Sequence, residues 1–143
     1  MSTQIPAGWL LDTSALAVAH HPQAGASLAA LLRAGVLHTC PLLDLEALAV
    51  AGSPAQYRQL STQRQQAYRP VPFTPAVSER AAELQAALAR HAHLGAVAPA
   101  DLLIAATAIE HGLRVLHHSP AFELLGQVCG LGQAAVLPLG VHG

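Results

Sequence analysis

The chain has no lysine, and its seven positive charges are all arginine. Against eight carboxylates they leave a formal net charge of -1, so no basic tail or long basic stripe exists for sequence-blind attachment to nucleic acid. Any nucleic-acid contact must come from a few placed arginines. Charge of either sign is scarce: 10% of residues are charged against 52% hydrophobic. That balance excludes disorder and gives the 143 residues enough apolar material for the core of one domain, 1–143. Long unbroken apolar runs are also missing. The uncharged stretches 13–32 and 124–143 approach spanning length, but His20-His21-Pro22-Gln23 interrupts the first, and Gly126, Gly130, Gly132, Pro138 and Gly140 break the second. Neither is expected to cross a membrane. No basic segment precedes the short apolar run 8–11, which argues against a signal peptide and for a protein that stays in the cytoplasm.

Cysteine is nearly absent. Cys40 and Cys129 stand far apart, with no C-x-x-C spacing and no histidine at ligand spacing from either, so free buried thiols are expected. The nine histidines do not converge: His20-His21 and His117-His118 are adjacent pairs, and His91 and His93 splay apart on a helix. A structural zinc site is therefore not expected.

What is present is an alternation of short apolar segments and helices. Trp9-Leu10-Leu11 is a buried strand closed by Asp12, followed by a helical segment 15–19. Leu28, Leu31 and Leu32 space a helix over 26–34, stopped by Gly35, and 36–40 is a second strand. Pro41 opens a helix whose Leu42, Leu43, Leu45, Leu48 and Val50 cover every side, leaving Asp44 and Glu46 as its only charges; such a helix is expected to be largely buried. Ser53-Pro54-Ala55-Gln56 has capping-box spacing and opens a polar, water-facing helix to Tyr68. Pro70-Val71-Pro72-Phe73 is extended, and Thr74-Pro75 opens a long amphipathic helix to about His91. The segment 101–110 is apolar all round with its acid at the start. A strand over 113–116, a short helix over 121–125 and a last strand over 134–137 complete the pattern. The order predicts an α/β fold, three layers α/β/α with a central, mainly parallel sheet, whose ligands bind beyond the carboxyl ends of the strands.

Three of the eight acids lie in apolar surroundings: Asp12 at a strand end, Glu46 inside an apolar helix, and Asp101 opening another. Unpaired buried carboxylates cost several kcal/mol each, and no arginine lies beside them in sequence. Each alone has an ordinary explanation: Asp12 as a cap, Asp101 as a first-turn complement to the helix dipole, Glu46 as the partner of one arginine. Together they point to a hard divalent cation and to phosphodiester hydrolysis.

The pieces Leu11-Asp12-Thr13-Ser14-Ala15-Leu16, Cys40-Pro41-Leu42-Leu43-Asp44-Leu45-Glu46, and Ala100-Asp101-Leu102-Leu103-Ile104-Ala105-Ala106-Thr107-Ala108, with Val115-Leu116-His117-His118 and Phe122 beyond, occur in this order. In them, over nearly the whole chain, the sequence resembles PIN-domain ribonucleases, in particular VapC toxins of bacterial toxin–antitoxin modules. The resemblance implies a PIN-like fold in which Asp12, Glu46 and Asp101 hold Mg²⁺ or Mn²⁺, with the Thr13 or Ser14 hydroxyl assisting. It implies cleavage of single-stranded RNA, a cognate antitoxin that covers the site, and a homodimer. The sequence departs from the pattern at one point: the fourth acid expected after the fourth strand is Ser119, and the position before Phe122 is Ala121. Ser119-Pro120 is also a good helix cap, while Glu123 would point elsewhere on that helix. A degenerate PIN domain that binds RNA or a partner with little nuclease activity is therefore the competing reading. A dinucleotide-binding fold is not favoured, because Asp12-Thr13-Ser14-Ala15 has no glycine-rich loop. Arg58, Arg64 and Arg69 are the candidate RNA contacts.

Overall fold

The computed structural model describes residues 8–141. The argument against a signal peptide, which concerns 1–7, and the two ends of the 1–143 domain lie outside the described residues. The elements run β1 (Trp9–Leu11), α1 (Thr13–Ala17), α2 (Pro22–Ala34), β2 (Leu37–Thr39), α3 (Pro41–Leu48), α4 (Pro54–Ala67), β3 (Arg69–Pro70), α5 (Pro75–Arg90), α6 (Pro99–Glu110), β4 (Arg114–His117), α7 (Pro120–Cys129) and β5 (Gln133–Ala135). All strands are parallel in the order β3-β2-β1-β4-β5. The expected three-layer α/β architecture with a parallel sheet is the one found.

Alternation along β1 sends Leu10 to one face of the sheet and Leu11 to the other, and both are buried. Leu10 and Val115 pack with Leu84, Leu88, Ile104, Phe122 and Leu125 of α5, α6 and α7. Leu11, Leu37 and Leu116 pack with Ala15, Val18 and Leu28 of α1 and α2. A fully buried leucine or isoleucine contributes roughly 1.5–3 kcal/mol, so these two clusters hold the strand ends in place. The apolar helix α6 is buried as expected, from Ile104 through Ala108.

Several boundaries differ for local reasons. Helix α2 starts a turn early, because the His21 ring accepts the Gln23 amide at 3.2 Å and Pro22 takes the first helical position. Helix α7 continues to Cys129, where Gly130 at φ 72° supplies the left-handed stop. The expectation that α3 is largely buried is wrong. Only Leu43 is buried, while Leu45 and Val50 are 68% and 77% exposed. This helix meets α1, α4 and α6 at one margin of the sheet, and its remaining surface has nothing to pack against.

The chain moves outward from β1 to β2 and β3, then returns to place β4 and β5 on the other side. This reversal opens a crevice beyond the carboxyl ends of β1 and β4, where parallel sheets bind ligands. Asp12 follows β1 directly, and His118 and Ser119 follow β4.

Candidate active site

Asp12 is buried and caps α1 with one oxygen only. Its Oδ2 accepts the Ser14 amide at 3.0 Å and the Ser14 hydroxyl at 2.5 Å, while Oδ1 makes no hydrogen bond among the described residues. The Ser14 oxygen in turn accepts the His118 amide at 2.9 Å, and the Asp12 amide donates to Leu116 O at 2.9 Å. Ser14 therefore ties the turn after β1 to the turn after β4 and fixes the direction of the carboxylate between them. Thr13, the first residue of α1, is half-buried.

Asp101 lies in the first turn of α6, half-buried. Burial, then the charge of Asp12, then that of Glu46 push its carboxyl from 3.8 up to about 6. Glu46 is not the buried acid expected from its apolar helix: it is exposed, because that flank of α3 is uncovered. Partial loss of surrounding water, followed by the charge of Asp12, nevertheless pushes its carboxyl upward. The charge of Asp12 thus reaches both Glu46 and Asp101, and that of Glu46 reaches Asp101.

No arginine compensates them. Among the described residues the ion pairs are Arg64 with Asp44, and Arg80 with Glu83 and Glu110; none involves Asp12, Glu46 or Asp101. Nor do three His, Cys, Asp or Glu side chains of the described residues form a ready-made metal-ligand set. The donor set nonetheless suits a hard cation in its chemistry: carboxylate oxygens, one of them without a hydrogen bond on Asp12 among the described residues, with unbalanced negative charge.

The turn after β4 is held by His117, which is fully buried. Its Nδ1 accepts the Ser119 amide at 3.0 Å, so Nε2 carries the proton toward Gln133 Oε1 at 2.6 Å. Burial lowers the affinity of this ring for a second proton, against the opposing pull of Gln133, Asp12 and Glu123. Ser119, at the fourth-acid position, caps α7 by accepting the Ala121 amide at 3.3 Å. Glu123 is exposed in the first turn of α7. Sequence reasoning missed the role of His117; an uncharged histidine at the end of an apolar strand was the available signal.

Of the three arginines expected to meet RNA, Arg58 and Arg69 are exposed. Arg64 is not free to meet a phosphate. Its side chain is 11% exposed, with Nε on Asp44 Oδ1 at 2.9 Å, Nη2 on Thr39 Oγ1 at 3.0 Å, and the guanidinium 4.9 Å from the Tyr68 ring centroid. Asp44 draws it inward, so it braces α4 against α3 and β2.

A parallel α/β sheet with an acid cleft at its switch point defines the class of protein. The PIN-domain profile matches residues 9–124, and the chain belongs to the PIN-domain family. It is 37% identical over 120 residues to Ribonuclease VapC21 of Mycobacterium tuberculosis, covering 84% of this chain and 87% of that one. It is 32% identical over 132 residues to Ribonuclease VapC51 of the same organism, covering 92% and 95%. The same fold occurs in VapBC2 from Rickettsia felis bound to a DNA fragment from their promoter, with a TM-score of 0.71 at 15% identity over 89% of this chain and 97% of that chain. FitAcB from Neisseria gonorrhoeae also shares it, with a TM-score of 0.66 at 22% identity over 92% and 99%.

Proposed function

We propose that this protein is a divalent-metal-dependent endoribonuclease toxin that hydrolyses single-stranded RNA at the cleft of Asp12, Glu46 and Asp101. The observation that carries this reading is Asp101: its carboxyl is pushed up to about 6 by burial and by two neighbouring acids, with no arginine on any of the three. Such a concentration of negative charge has a cost in the folded chain unless a cation offsets it. The ribonuclease names of the two mycobacterial relatives support the same activity.

Asp12, Glu46 and Asp101 would hold Mg²⁺ or Mn²⁺, with Ser14 keeping the Asp12 carboxylate oriented. When bound, the ion supplies Lewis acidity toward water and the phosphodiester oxygens. Exposed Arg58 and Arg69 are the cations left to meet RNA phosphates. The resemblance to the VapBC complex supports a cognate antitoxin as partner, covering the cleft and bringing a positive charge toward Asp12 and Asp101. A homodimer in the cytoplasm completes the reading; among the described residues no helix is long and apolar enough to cross a membrane.

Incubation with single-stranded RNA and Mg²⁺ tests the proposal. Cleavage is expected, stopped by EDTA and abolished by Asp12→Asn or Asp101→Asn; cutting that survives the chelator or both substitutions refutes the site. The second reading, a PIN domain with little nuclease activity, is favoured by one observation: the Ser119 hydroxyl is engaged as a helix cap at the fourth-acid position.

A further inference from the structure

A cavity of about 190 Å³ opens beyond the carboxyl ends of β2 and β3, lined among others by Thr39, Asp44, Ser61, Arg64, Gln65 and Tyr68. We propose that it receives one unstacked base of the RNA, away from the scissile position; this rests on the ribonuclease reading above. The volume is far larger than one water, about 30 Å³, and below the roughly 300 Å³ at which pockets for drug-sized ligands begin. It suits a single ring system better than a whole nucleotide.

The lining selects the chemistry. Arg64 is cancelled by Asp44 at 2.9 Å, so the wall presents no net charge and does not favour phosphate. The ring Thr39 to Asp44 at 2.8 Å, Arg64 to Asp44 and Arg64 to Thr39 holds the guanidinium rigid. Its remaining N–H groups stay available as donors. The Tyr68 ring lies against the same guanidinium, and aromatic rings and arginine planes are the platforms on which splayed RNA bases stack. Gln65 and Ser61 are only loosely joined, at 3.5 Å, which leaves both to meet a base edge. A neutral planar heterocycle rich in acceptors, guanine foremost, matches this wall.

The position relative to the acids fixes which base it is. Asp44 and Glu46 are two residues apart on α3, about 200° around the helix. The cavity beside Asp44 is therefore separated from the acid cleft by the body of α3. A helix is about 10–12 Å across with its side chains, so the cavity takes a base further along the strand than the scissile nucleotide.

The test compares wild type with Gln65→Ala and Ser61→Phe, the second chosen to fill the cavity while keeping both members of the Arg64–Asp44 pair in the chain. Cleavage of a random-sequence RNA pool gives the nucleotide preference at each position around the cut. Anisotropy in EDTA gives the affinity for an oligonucleotide carrying guanine or an abasic residue at the preferred position. Wild type is expected to favour guanine roughly tenfold, within the range for one stacked base, and both variants to flatten that preference. Should Ser61→Phe fail to fold, Gln65→Ala carries the comparison. A preference that persists in the variants, or a wild type that cuts RNA with no preference away from the scissile position, overturns the base site alone. A wild type that neither binds nor cuts RNA overturns the ribonuclease reading and this one with it.

Discussion

Replacing Asp101 with Asn should stabilise the metal-free protein above pH 6 while destroying its proposed activity. The folded state raises this carboxyl from 3.8 to about 6, so the ionised form is disfavoured by folding. Each unit corresponds to about 1.36 kcal/mol, giving a ceiling of about 3 kcal/mol. Partial exposure and solvent screening reduce it to about 1–2 kcal/mol. The charge also gains about 0.3–1 kcal/mol from its place in the first turn of α6, which the neutral amide forgoes. The combined penalty of burial and like charge wins by about 1 kcal/mol. The sign follows from linkage: below pH 3.8 the group is protonated in both states and the substitution gains nothing, and the gain grows as pH rises through 4 to 6 and is complete above that. In a domain near 150 residues, 1 kcal/mol shifts the midpoint by about 2–4 °C. Thermal unfolding of both proteins in EDTA at pH 4 and pH 8 measures it. A variant equal to or weaker than wild type at pH 8 would mean that Asp101 is not strained by burial and by Asp12 and Glu46, and the carrying observation for a cation site would fall.

Ser119→Asp should tighten Mg²⁺ binding and speed cleavage, because it adds an oxygen ligand beside the turn that Ser14 ties to Asp12, while Asp caps a helix about as well as Ser. Weaker Mg²⁺ binding by calorimetry together with slower cutting would show that residue 119 does not face the cleft. Among the arginines, Arg58→Ala and Arg69→Ala should each lower the salt slope of RNA binding by about 0.7 without loss of stability. Arg64→Ala should destabilise the fold by about 1–2 kcal/mol in urea, since it leaves Asp44 and Thr39 without their shared donor.

Much of the fold was legible because its strands are short apolar runs and its helices carry caps in the chain. Ser53, Pro75 and Pro99 sit where such signals should, and α4, α5 and α6 start there. The failure at α3 has a physical origin. Apolar residues on every side of a helix predict burial only if something lies on every side, and at one margin of a five-stranded sheet nothing does. β3 was missed as a strand for a related reason: Arg69–Pro70 has no apolar alternation, and backbone hydrogen bonding, such as Val71 N to Thr39 O at 2.9 Å, holds it beside β2.

The acid cleft was legible in parts. Asp12 and Asp101 stand at element ends, where a carboxylate in apolar sequence has few uses, and the charge of Asp12 raises the Asp101 carboxyl. Which acids stay uncompensated could not be seen, because Arg64 reaches Asp44 across 20 residues of chain and the choice depends on how α4 folds back over α3. That choice matters more than the count of acids. Asp44 and Glu46 are two residues apart on one helix, yet one is closed into a hydrogen-bonded ring and the other meets partial desolvation and the charge of Asp12 with no cation beside it among the described residues. The same pairing that makes Asp44 inert leaves the negative potential on the other side of α3 undiluted. In the proposed site a cation would meet Asp12, Glu46 and Asp101 with no arginine paired to them among the described residues, so a serine in place of a fourth carboxylate at 119 would weaken the attraction without transferring it to an arginine.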